Sequence, residues 1–372
     1  MNASRLAIFL VIVLSVWTAM HLYVFWRVAS VPFITGYISR RTLVWLAVGL
    51  WTIYPLARIL GARHWHKVAA PLEFVGAIWI GLLFLALSLL LIVEVVTAGG
   101  FLWSNSAPVL RGWALVMAGV LGVIALAQGL RVPVVQDYEV RLTGLPKERE
   151  GMVLIALSDL HLGTMLGKDW LANVIQQVDA LKPDVVLVVG DLVDGNVGHV
   201  EPLLPVLKTL RAPHGVWAVT GNHEFYAGLE RSVQLMEAAG FTVLRDRAVE
   251  VLPGLVVAGV DDLQTPRTEA NRKPFERALS GRPPGATMLL SHSPSQFETA
   301  AAAGVGLMLS GHTHNGQLWP FNYLVRLAHP LVGGRYNVEG MTVIVGRGTG
   351  TWGPRMRLWQ PGEIMRIRLK SD

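Results

Sequence analysis

Residues 185–194, VVLVVGDLVD, are the most informative stretch for the fold, because five β-branched or aliphatic residues are followed by a glycine and then Asp191. Residues 153–161, VLIALSDLH, repeat this arrangement, with Asp159 and His161 after the apolar run. Runs this short and apolar indicate strands buried on both faces, as in sheets covered by helices. Side chains that bind ligands gather beyond the ends of such strands. We therefore expect these three polar residues to lie close together.

Three further motifs follow short apolar runs in the same way, and each carries Asn or His. They are Gly221-Asn222-His223-Glu224, Ser291-His292 and Gly311-His312-Thr313-His314. Helical patterns such as residues 170–181 separate the apolar runs, so this part of the chain is predicted to be α/β. The five motifs supply enough oxygen and imidazole ligands for two divalent metals, and a pair of metals points to hydrolysis of a phosphate ester.

The first 136 residues have a different composition. They contain nine Arg and Lys against two acids, Glu73 and Glu94, which gives this part a net charge of +7 and the remainder −1. Eight of the thirteen Trp also lie there, several at the ends of apolar runs, which is typical of anchoring at a membrane interface. The apolar runs cover residues 6–28, 43–60, 74–96 and 113–130.

These runs predict an all-α transmembrane region of about four helices. A helix needs about 20 residues to cross a bilayer, so the first and third runs are long enough and the other two are short. A buried soluble helical domain would need more polar positions, and a cleaved signal peptide would have a shorter apolar core without three further runs. The predicted domains are a transmembrane helical region at residues 1–132 and a second domain at residues 133–372.

The basic residues near the spans bear on orientation. Arg and Lys are in excess on the side that carries the N-terminus and the second domain, which predicts an integral protein of the cell membrane with this domain in the cytoplasm. The first span alone argues the opposite, because Arg40 and Arg41 outweigh Arg5. Glu94 and His21 lie inside or near the ends of runs, and we interpret Glu94 as reaching the interface.

Two compositional facts exclude other classes of protein. The chain has no cysteine, which excludes disulfides and thiolate metal sites. The basic charge belongs to the apolar part, and the net charge of −1 on the remainder gives no support to nucleic-acid binding. No nucleic-acid partner is therefore expected. The apolar runs predict a membrane as one partner, the five motifs predict a phosphorylated small-molecule or lipid substrate as the other, and the oligomeric state is left open.

The ordered set of five motifs resembles the calcineurin-like metallophosphoesterase superfamily over about residues 150–372. Gly316-Gln317 and the glycine-rich tail at residues 346–364 are similar to its bacterial membrane-associated branch. Some members of that branch are phosphodiesterases, or pyrophosphatases acting on a nucleotide-linked lipid-A precursor. The branch often has Gly where this chain has Asn315, which affects the backbone freedom of the loop. The resemblance implies a layered α/β fold with central β-sheets.

The resemblance also implies roles for eight residues. Asp191 corresponds to the carboxylate that bridges two metals, and His223 to a catalytic histidine that binds neither. The remaining ligands would be Asp159, His161 and His314 for one metal, and Asn222, His292 and His312 for the other. The ions, expected to be manganese with zinc or iron as alternatives, would hold a bridging hydroxide for in-line attack. An i, i+2 spacing on an extended segment would let paired ligands converge, and the glycines before Asp191, Asn222 and His312 would allow tight turns.

Other polar residues have two interpretations of similar weight. Arg335 and Arg355 are candidates for phosphate contacts, since a guanidinium matches phosphate oxygens, but a structural ion pair explains them equally well. Asp194 is interpreted as a supporting or turn residue, Glu224 as structural, and Asp261 and Asp262 as turn residues or part of the site. Five histidines without a motif are interpreted as surface or structural residues: His64, His66, His199, His214 and His329.

The leading hypothesis is a membrane-tethered hydrolase that cleaves a phosphodiester or pyrophosphate bond in a lipid-linked or nucleotide-linked substrate. Within enzymes, the alternative is a protein phosphatase or nuclease on the same fold. Outside enzymes, the alternative is a membrane interaction module with a structural metal site. That module would be expected to lack a ligand or the histidine at position 223, and the sequence contains all of them.

Overall fold

The computed structural model describes residues 3–63, 65–265 and 273–372. The chain divides into two compact units. The first unit comprises residues 1–130 together with Gly353–Leu358, and the second comprises residues 131–352 and 359–372. The first is helical and the second is α/β. The predicted boundary at residues 132/133 stays a prediction, and sequence reasoning did not anticipate that Gly353–Leu358 groups with the helices.

The helical unit is built from long apolar helices. The helices are α1 (Ala3–Val28), α2 (Pro32–Tyr37), α3 (Arg40–Ala62), α4 (His66–Thr97) and α5 (Ala107–Gly129), with a 3-10 turn at Ala98–Gly100. All except α2 are long and apolar enough to cross a membrane. The second and fourth apolar runs are short, but their helices continue into flanking residues; α3 begins at Arg40, where the Ser39 hydroxyl accepts the N–H of Thr42. The prediction of about four apolar helices is confirmed.

Charged side chains inside this unit are paired. Glu94 on α4 accepts hydrogen bonds from Arg111 on α5 at 2.8 and 3.1 Å and from Arg27 on α1 at 2.8 Å. His21 is 3% exposed and accepts a hydrogen bond from the indole of Trp79 at 3.0 Å. A buried charge is stabilised only when it is paired, so Glu94 links three helices at this end of the unit.

The second unit contains two six-stranded sheets. The first sheet has the order β1 (Val134–Arg141), β12 (Glu363–Lys370), β2 (Val153–Leu157), β3 (Val185–Val189), β4 (Val216–Val219) and β5 (Thr242–Val243). The second has the order β10 (Gly334–Val338), β11 (Met341–Val345), β9 (Leu307–Ser310), β8 (Ala286–Leu290), β7 (Leu255–Gly259) and β6 (Arg247–Leu252). Strands β2 to β5 are parallel, as are β7, β8, β9 and β11. The carboxyl ends of each parallel set therefore meet at one edge of the sheet.

Helices connect and cover these sheets. They are α6 (Lys168–Ala180), α7 (Val197–Val200), α8 (Leu204–Leu207), α9 (Asn222–Ala227), α10 (Leu229–Ala238), α11 (Pro274–Leu279), α12 (Phe297–Ala302) and α13 (Phe321–Ala328), with 3-10 turns at Lys147–Arg149, Glu201–Leu203 and His314–Gly316. One core packs α6 and α10 against the first sheet, a second lies between the sheets, and a third packs α11 and α12 against the second sheet. The four layers are helices, sheet, sheet and helices.

Burial on both faces explains why β3 contains only apolar residues. All five residues of β3 are buried: Val186 and Val188 lie in the core under the helices, while Val185, Leu187 and Val189 lie in the core between the sheets. Strand β8 is likewise buried along its length. Covered strands need no polar alternation, so the predicted α/β class with central sheets is confirmed.

We propose that residues 131–372 fold as a separate fragment, because both sheets lie within the second unit. A shorter fragment that began at Glu139 would lose most of β1, because it would keep only three of the eight residues through which β1 pairs with β12. The fragment is expected to show cooperative thermal unfolding by circular dichroism. Leu358, buried within the helical unit, would lose its surroundings, so Leu358→Ser should improve solubility. A fragment that is unfolded, while full-length protein is active, would count against this boundary.

Candidate metal centre

The predicted ligands lie in five loops that follow strands of both sheets. Asp159 and His161 follow β2, Asp191 follows β3, Asn222 follows β4, His292 follows β8, and His312 and His314 follow β9. All are buried except His312, which is partly buried. The structure thus brings together residues up to 155 positions apart in the sequence. Their role as ligands stays a prediction.

One group consists of Asp159, His161 and His314, whose potential ligand atoms all lie within 4.8 Å of one another. The Nε2 atoms of His161 and His314 are 3.0 Å apart, and Nε2 of His314 is 3.5 Å from Oδ1 of Asp159. The carboxylate of Asp159 is also held by the backbone, because the N–H of His312 donates to its Oδ1 at 2.9 Å. This group matches the set predicted for one metal.

The second group consists of Asp191, His292 and His312, with potential ligand atoms again within 4.8 Å. Nδ1 of His312 is 2.9 Å from Oδ1 of Asn222, which adds the fourth predicted member. Nδ1 of His292 is 2.8 Å from the carbonyl oxygen of Val189, and since a carbonyl only accepts, Nδ1 carries the proton. Nε2 of His292 is then the nitrogen that can bind a metal.

Asp191 lies between the two groups. Its Oδ2 is 3.1 Å from Nε2 of His292 and 3.8 Å from Nε2 of His161. Its Oδ1 accepts the backbone N–H of His223 at 2.9 Å, which fixes the plane of the carboxylate. One oxygen of Asp191 therefore faces ligand atoms of both groups, as a bridging carboxylate would.

The loops reach the centre through left-handed backbone rather than through extended segments. Asp159, His161, Asp191, His312 and His314 have φ values of 52°, 44°, 52°, 70° and 49°. The prediction that i, i+2 spacing on an extended segment makes the ligands converge is wrong in its geometry, because the strands end before the ligands and the chain turns sharply there. Non-glycine residues rarely adopt this conformation, and strain of this kind is concentrated at functional sites.

Glycines beside the ligands are required for close approach. A β-carbon at Gly221 would collide with Oδ1 of Asp191, and one at Gly311 would collide with Oδ2 of Asp159. Neither glycine has a positive φ, so the predicted role as a tight-turn residue does not apply to these two. They are needed because no side chain fits between neighbouring loops.

Glu224 ties two of the loops together. Its fully buried carboxylate accepts backbone N–H groups of Asp191 at 2.9 Å, Val193 at 3.0 Å and Gly221 at 2.6 Å. Burial, with the nearby charge of Asp191, raises the pKa of Glu224 to about 7. The contacts favour the predicted structural interpretation, since Glu224 sets the backbone of the bridging residue and of the loop before Asn222.

Charges in the centre are arranged around His292. Burial by itself lowers the pKa of His292, but the carboxylates of Asp191 and Asp159 outweigh it and raise that pKa well above the usual value. Burial, with the neighbouring His292, lowers the pKa of His312 to about 3, and burial holds the pKa of His161 well below the usual value. His161 and His312 are therefore neutral near pH 7, which is the form of imidazole that binds a metal.

The donor set fits two divalent cations. Metal–nitrogen distances of about 2.0–2.1 Å put neighbouring ligand atoms about 3.0–3.5 Å apart around one ion. The separations of 3.0 Å for His161–His314, 3.1 Å for His292–Asp191 and 3.5 Å for His314–Asp159 lie in this range, and the 2.9 Å for His312–Asn222 is just below it. Buried carboxylates crowded in this way are costly unless a positive charge lies among them.

Comparison with known proteins places the chain in a family. A family model described as calcineurin-like phosphoesterase matches residues 152–316. An uncharacterized metallophosphoesterase of Aquifex aeolicus is 37% identical over 241 residues, which cover 64% of this chain and 92% of that protein. The chain belongs to the calcineurin-like metallophosphoesterases.

Two other relatives of this metallophosphoesterase are matched over part of their length. An uncharacterized metallophosphoesterase of Helicobacter pylori is 36% identical over 245 residues, which cover 65% of each protein. A zebrafish (Danio rerio) protein named as a transmembrane protein with metallophosphoesterase domain is 34% identical over 271 residues, or 69% of this chain and 62% of that protein. The chain thus spans just under two thirds of these relatives.

In this metallophosphoesterase, His223 lies beside the predicted ligand His161 and is paired with Asp194. Nδ1 of His223 is 3.0 Å from Oδ1 of Asp194, and its ring centroid is 4.6 Å from that of His161. Burial alone lowers the pKa of His223, but the hydrogen bond with Asp194 and the charge of Asp191 outweigh it and raise that pKa. Asp194, predicted to be a supporting or turn residue, is thus the partner of His223, and the spacing Asp191-x-x-Asp194 is the sequence signal that could have indicated it.

The described contacts of the two arginines predicted to bind phosphate do not include the predicted metal ligands. Arg335 is exposed on β10 and donates to the carbonyl of Glu139 at 2.8 Å. Arg355 belongs to Gly353–Leu358, the segment that groups with the helical unit, and burial lowers its pKa. A role in phosphate binding stays a prediction for both.

Asp261 and Asp262 support the loops around the centre. Asp261 accepts from the hydroxyl of Thr220, just before Gly221, at 2.8 Å. Asp262 accepts from the hydroxyl of Ser293, just after His292, at 2.6 Å.

The other histidines have different surroundings. His329 had no motif to indicate a role, yet its ring centroid is 5.3 Å from that of His312. His199 lies on α7 and His214 in the loop before β4, while His64 and the side chain of His66 lie outside the described residues.

We expect Glu224→Gln to disturb the centre without touching a ligand. Glutamine keeps one acceptor oxygen but places an NH₂ group against a backbone N–H, and a buried unsatisfied donor costs about 1–3 kcal/mol. The variant should unfold at lower temperature and bind less metal, measured by thermal unfolding and by metal analysis. The matched control is Glu237→Gln on the exposed side of α10. Unchanged stability and metal content would show that Glu224 does not hold these loops.

Proposed function

We propose that this protein is a membrane-tethered phosphoesterase that uses two divalent cations to cleave a phosphodiester or pyrophosphate bond. The observation that carries the proposal is the position of Asp191, whose Oδ2 faces both His292 and His161. Five loops from two sheets converge on this carboxylate. A structural metal site needs only one closed set of ligands, whereas a shared carboxylate is suited to two ions acting on one substrate.

The ligands proposed for the two ions are those that the geometry groups together. One ion would be held by Asp159, His161 and His314, and the other by Asn222, His292 and His312, with Asp191 shared. Two bound divalent ions supply positive charge that neutralises phosphoryl oxygens and lowers the pKa of water. Mixed carboxylate, amide and imidazole ligands favour manganese, with zinc or iron as alternatives.

His223 is proposed to donate a proton to the leaving oxygen. Asp194 engages Nδ1, so Nε2 is the ring nitrogen left to exchange a proton with a substrate. The aspartate also fixes the ring orientation and stabilises its protonated form. Because the backbone N–H of His223 donates to Asp191, the imidazole is held at a set distance from the shared carboxylate.

Hydrolysis of bis(4-nitrophenyl) phosphate by full-length protein in detergent tests the proposal. Protein stripped by a chelator should be inactive, and added Mn²⁺ should restore nitrophenolate release together with two bound ions per chain. Restored binding of metal without turnover on this or a nucleotide or lipid pyrophosphate would favour the interaction module with a structural metal. A single ion at full activity would contradict the two-metal proposal.

We also propose that the apolar helices insert in a membrane and that the catalytic domain faces the cytoplasm. The support is the length of the four apolar helices and the excess of basic residues on the side of the second domain. A protease added to intact spheroplasts should leave the domain uncut and should cut it after lysis. Cleavage before lysis would place it on the outer side.

A further inference from the structure

Helix α13 exposes large apolar side chains, although its Asn322 is buried. Its Asn322 is 9% exposed, whereas Tyr323, Leu324 and Leu327 are 56%, 54% and 85% exposed. A helix on a protein surface normally turns its apolar side inward and its polar side to water. The outward side of α13 therefore needs a partner that is not supplied by the described residues of this chain.

The helix is fixed in this orientation by the loop that precedes it. A β-carbon at Gly316 would collide with the backbone of Asn322, so the loop and the inward side of α13 are in direct contact. Asn315, where related proteins are expected to carry glycine, has a φ of 49° and donates to the side chain of Gln360 at 2.6 Å. The apolar side thus points outward because the polar side is held on the loop.

Aromatic side chains extend the apolar surface beyond the helix. Trp319, just before α13, has its ring centroid 5.4 Å from that of Trp359, which is 55% exposed. The side chain of Gln317 donates to the carbonyl of Trp352 and accepts its backbone N–H, both at 3.0 Å. The indole of Trp352 is also exposed. We call α13 with Trp319, Trp352 and Trp359 the α13 surface.

The α13 surface borders the metal centre. The helix begins seven residues after the predicted ligand His314 and is followed at once by His329, whose ring lies against that of His312. The ring centroid of Trp352 is 6.0 Å from that of His223. A partner bound to this surface would therefore lie at the margin of the centre.

The charges of this region favour a lipid surface as the partner. Residues 299–338 contain no Asp or Glu, and Arg326 on α13 is exposed. Apolar and aromatic side chains beside a basic residue, without acids, are typical of helices that lie in the head-group region of an anionic bilayer. A bilayer is within reach, because β1 begins only five residues after α5 ends, a span of at most about 18 Å.

We propose that the α13 surface inserts shallowly in the bilayer, and that the centre acts on phosphate esters carried by lipids of that bilayer. The first statement rests on the exposure, fixation and charge of α13, and the second also rests on the proposed hydrolase function. The partner is the lipid head-group region itself, which would present the phosphate of an amphiphile beside His223 and the metals.

A single cysteine tests insertion without reference to activity. The chain has no native cysteine, so Leu327→Cys can carry one environment-sensitive fluorophore on full-length protein in nanodiscs of phosphatidylethanolamine and phosphatidylglycerol. We expect blue-shifted emission that lipids bearing a quencher near the head group reduce. The matched control, Glu237→Cys on α10, should show neither effect. Emission at residue 327 like that of the control would overturn the proposal, and blue-shifted emission that lipid quenchers leave unchanged would show that protein covers the surface instead.

A second test separates access to lipid from chemistry. The double variant Leu324→Ser/Leu327→Ser should raise KM for a long-chain phosphodiester in bilayers by about tenfold or more, since two apolar side chains lose their burial. Its kcat/KM for bis(4-nitrophenyl) phosphate should be unchanged, and the variant Leu324→Met/Leu327→Met should keep both values. Equal losses on both substrates, or no change on either, would overturn the role in lipid access. If the unmodified protein cleaves neither substrate, the proposed hydrolase function fails, while lipid quenching at residue 327 still decides insertion.

Discussion

Asp191→Asn is expected to cost more activity than any other substitution of a single ligand, roughly 10³-fold or more in kcat/KM. Each bound ion contributes several kcal/mol to transition-state stabilisation, and about 1.4 kcal/mol corresponds to a factor of ten. One oxygen of Asp191 faces both groups, so the amide weakens the binding of two ions rather than one. Metal analysis at saturating Mn²⁺ should find fewer than two ions per chain.

Two matched variants sharpen this expectation. Asp179→Asn, on the exposed side of α6, should leave metal content and rate unchanged. Asp159→Asn should deplete mainly one ion, because Asp159 belongs to one group. Full occupancy by two ions together with normal turnover in Asp191→Asn would refute the bridging role.

His223→Ala is expected to keep both metals and to lose about 10²–10⁴-fold in rate, the usual contribution of general acid catalysis. The loss should depend on the leaving group. Nitrophenolate leaves readily without a proton, so the aryl diester should show a small loss, whereas an alkyl or sugar ester should show a large one. Turnover of both substrate types, with metal analysis of the variant, measures this difference.

Asp194→Asn provides the test of the pair. An asparagine keeps the side-chain shape but cannot stabilise a protonated His223, so the variant should reproduce part of the loss on alkyl esters and little of it on aryl esters. His214→Ala, outside the centre, is the control. Equal losses on both substrate types would instead assign His223 to stabilisation of the phosphoryl oxygens, and loss of metal would make it a ligand.

The close approach of the predicted ligands could be inferred from the sequence, because each follows a strand that is recognisable from its own residues. Short apolar runs such as residues 185–189 indicated where strands end, and a set of Asp, Asn and His placed after five such runs is typical of a metal centre. The conformation of these loops could not be predicted in the same way. Asp159 and Asp191 adopt left-handed backbone conformations where neighbouring loops are in contact. For example, the N–H of Asp159 donates to the carbonyl of Gly190 at 3.1 Å.

The order of the predicted ligands, the α/β class and the four apolar helices could be inferred from the amino-acid sequence alone, because each of these depends on residues that are neighbours along the chain. The tertiary structure decided which residues assist them. Asp194 contacts His223, and Glu224 binds the loop of Asp191, across about 30 positions. It also decided that α13 turns its leucines outward, since an apolar helix pattern shows that one side is apolar but not what that side will face. Contacts between distant segments depend on how the layers pack, and no local pattern records that packing.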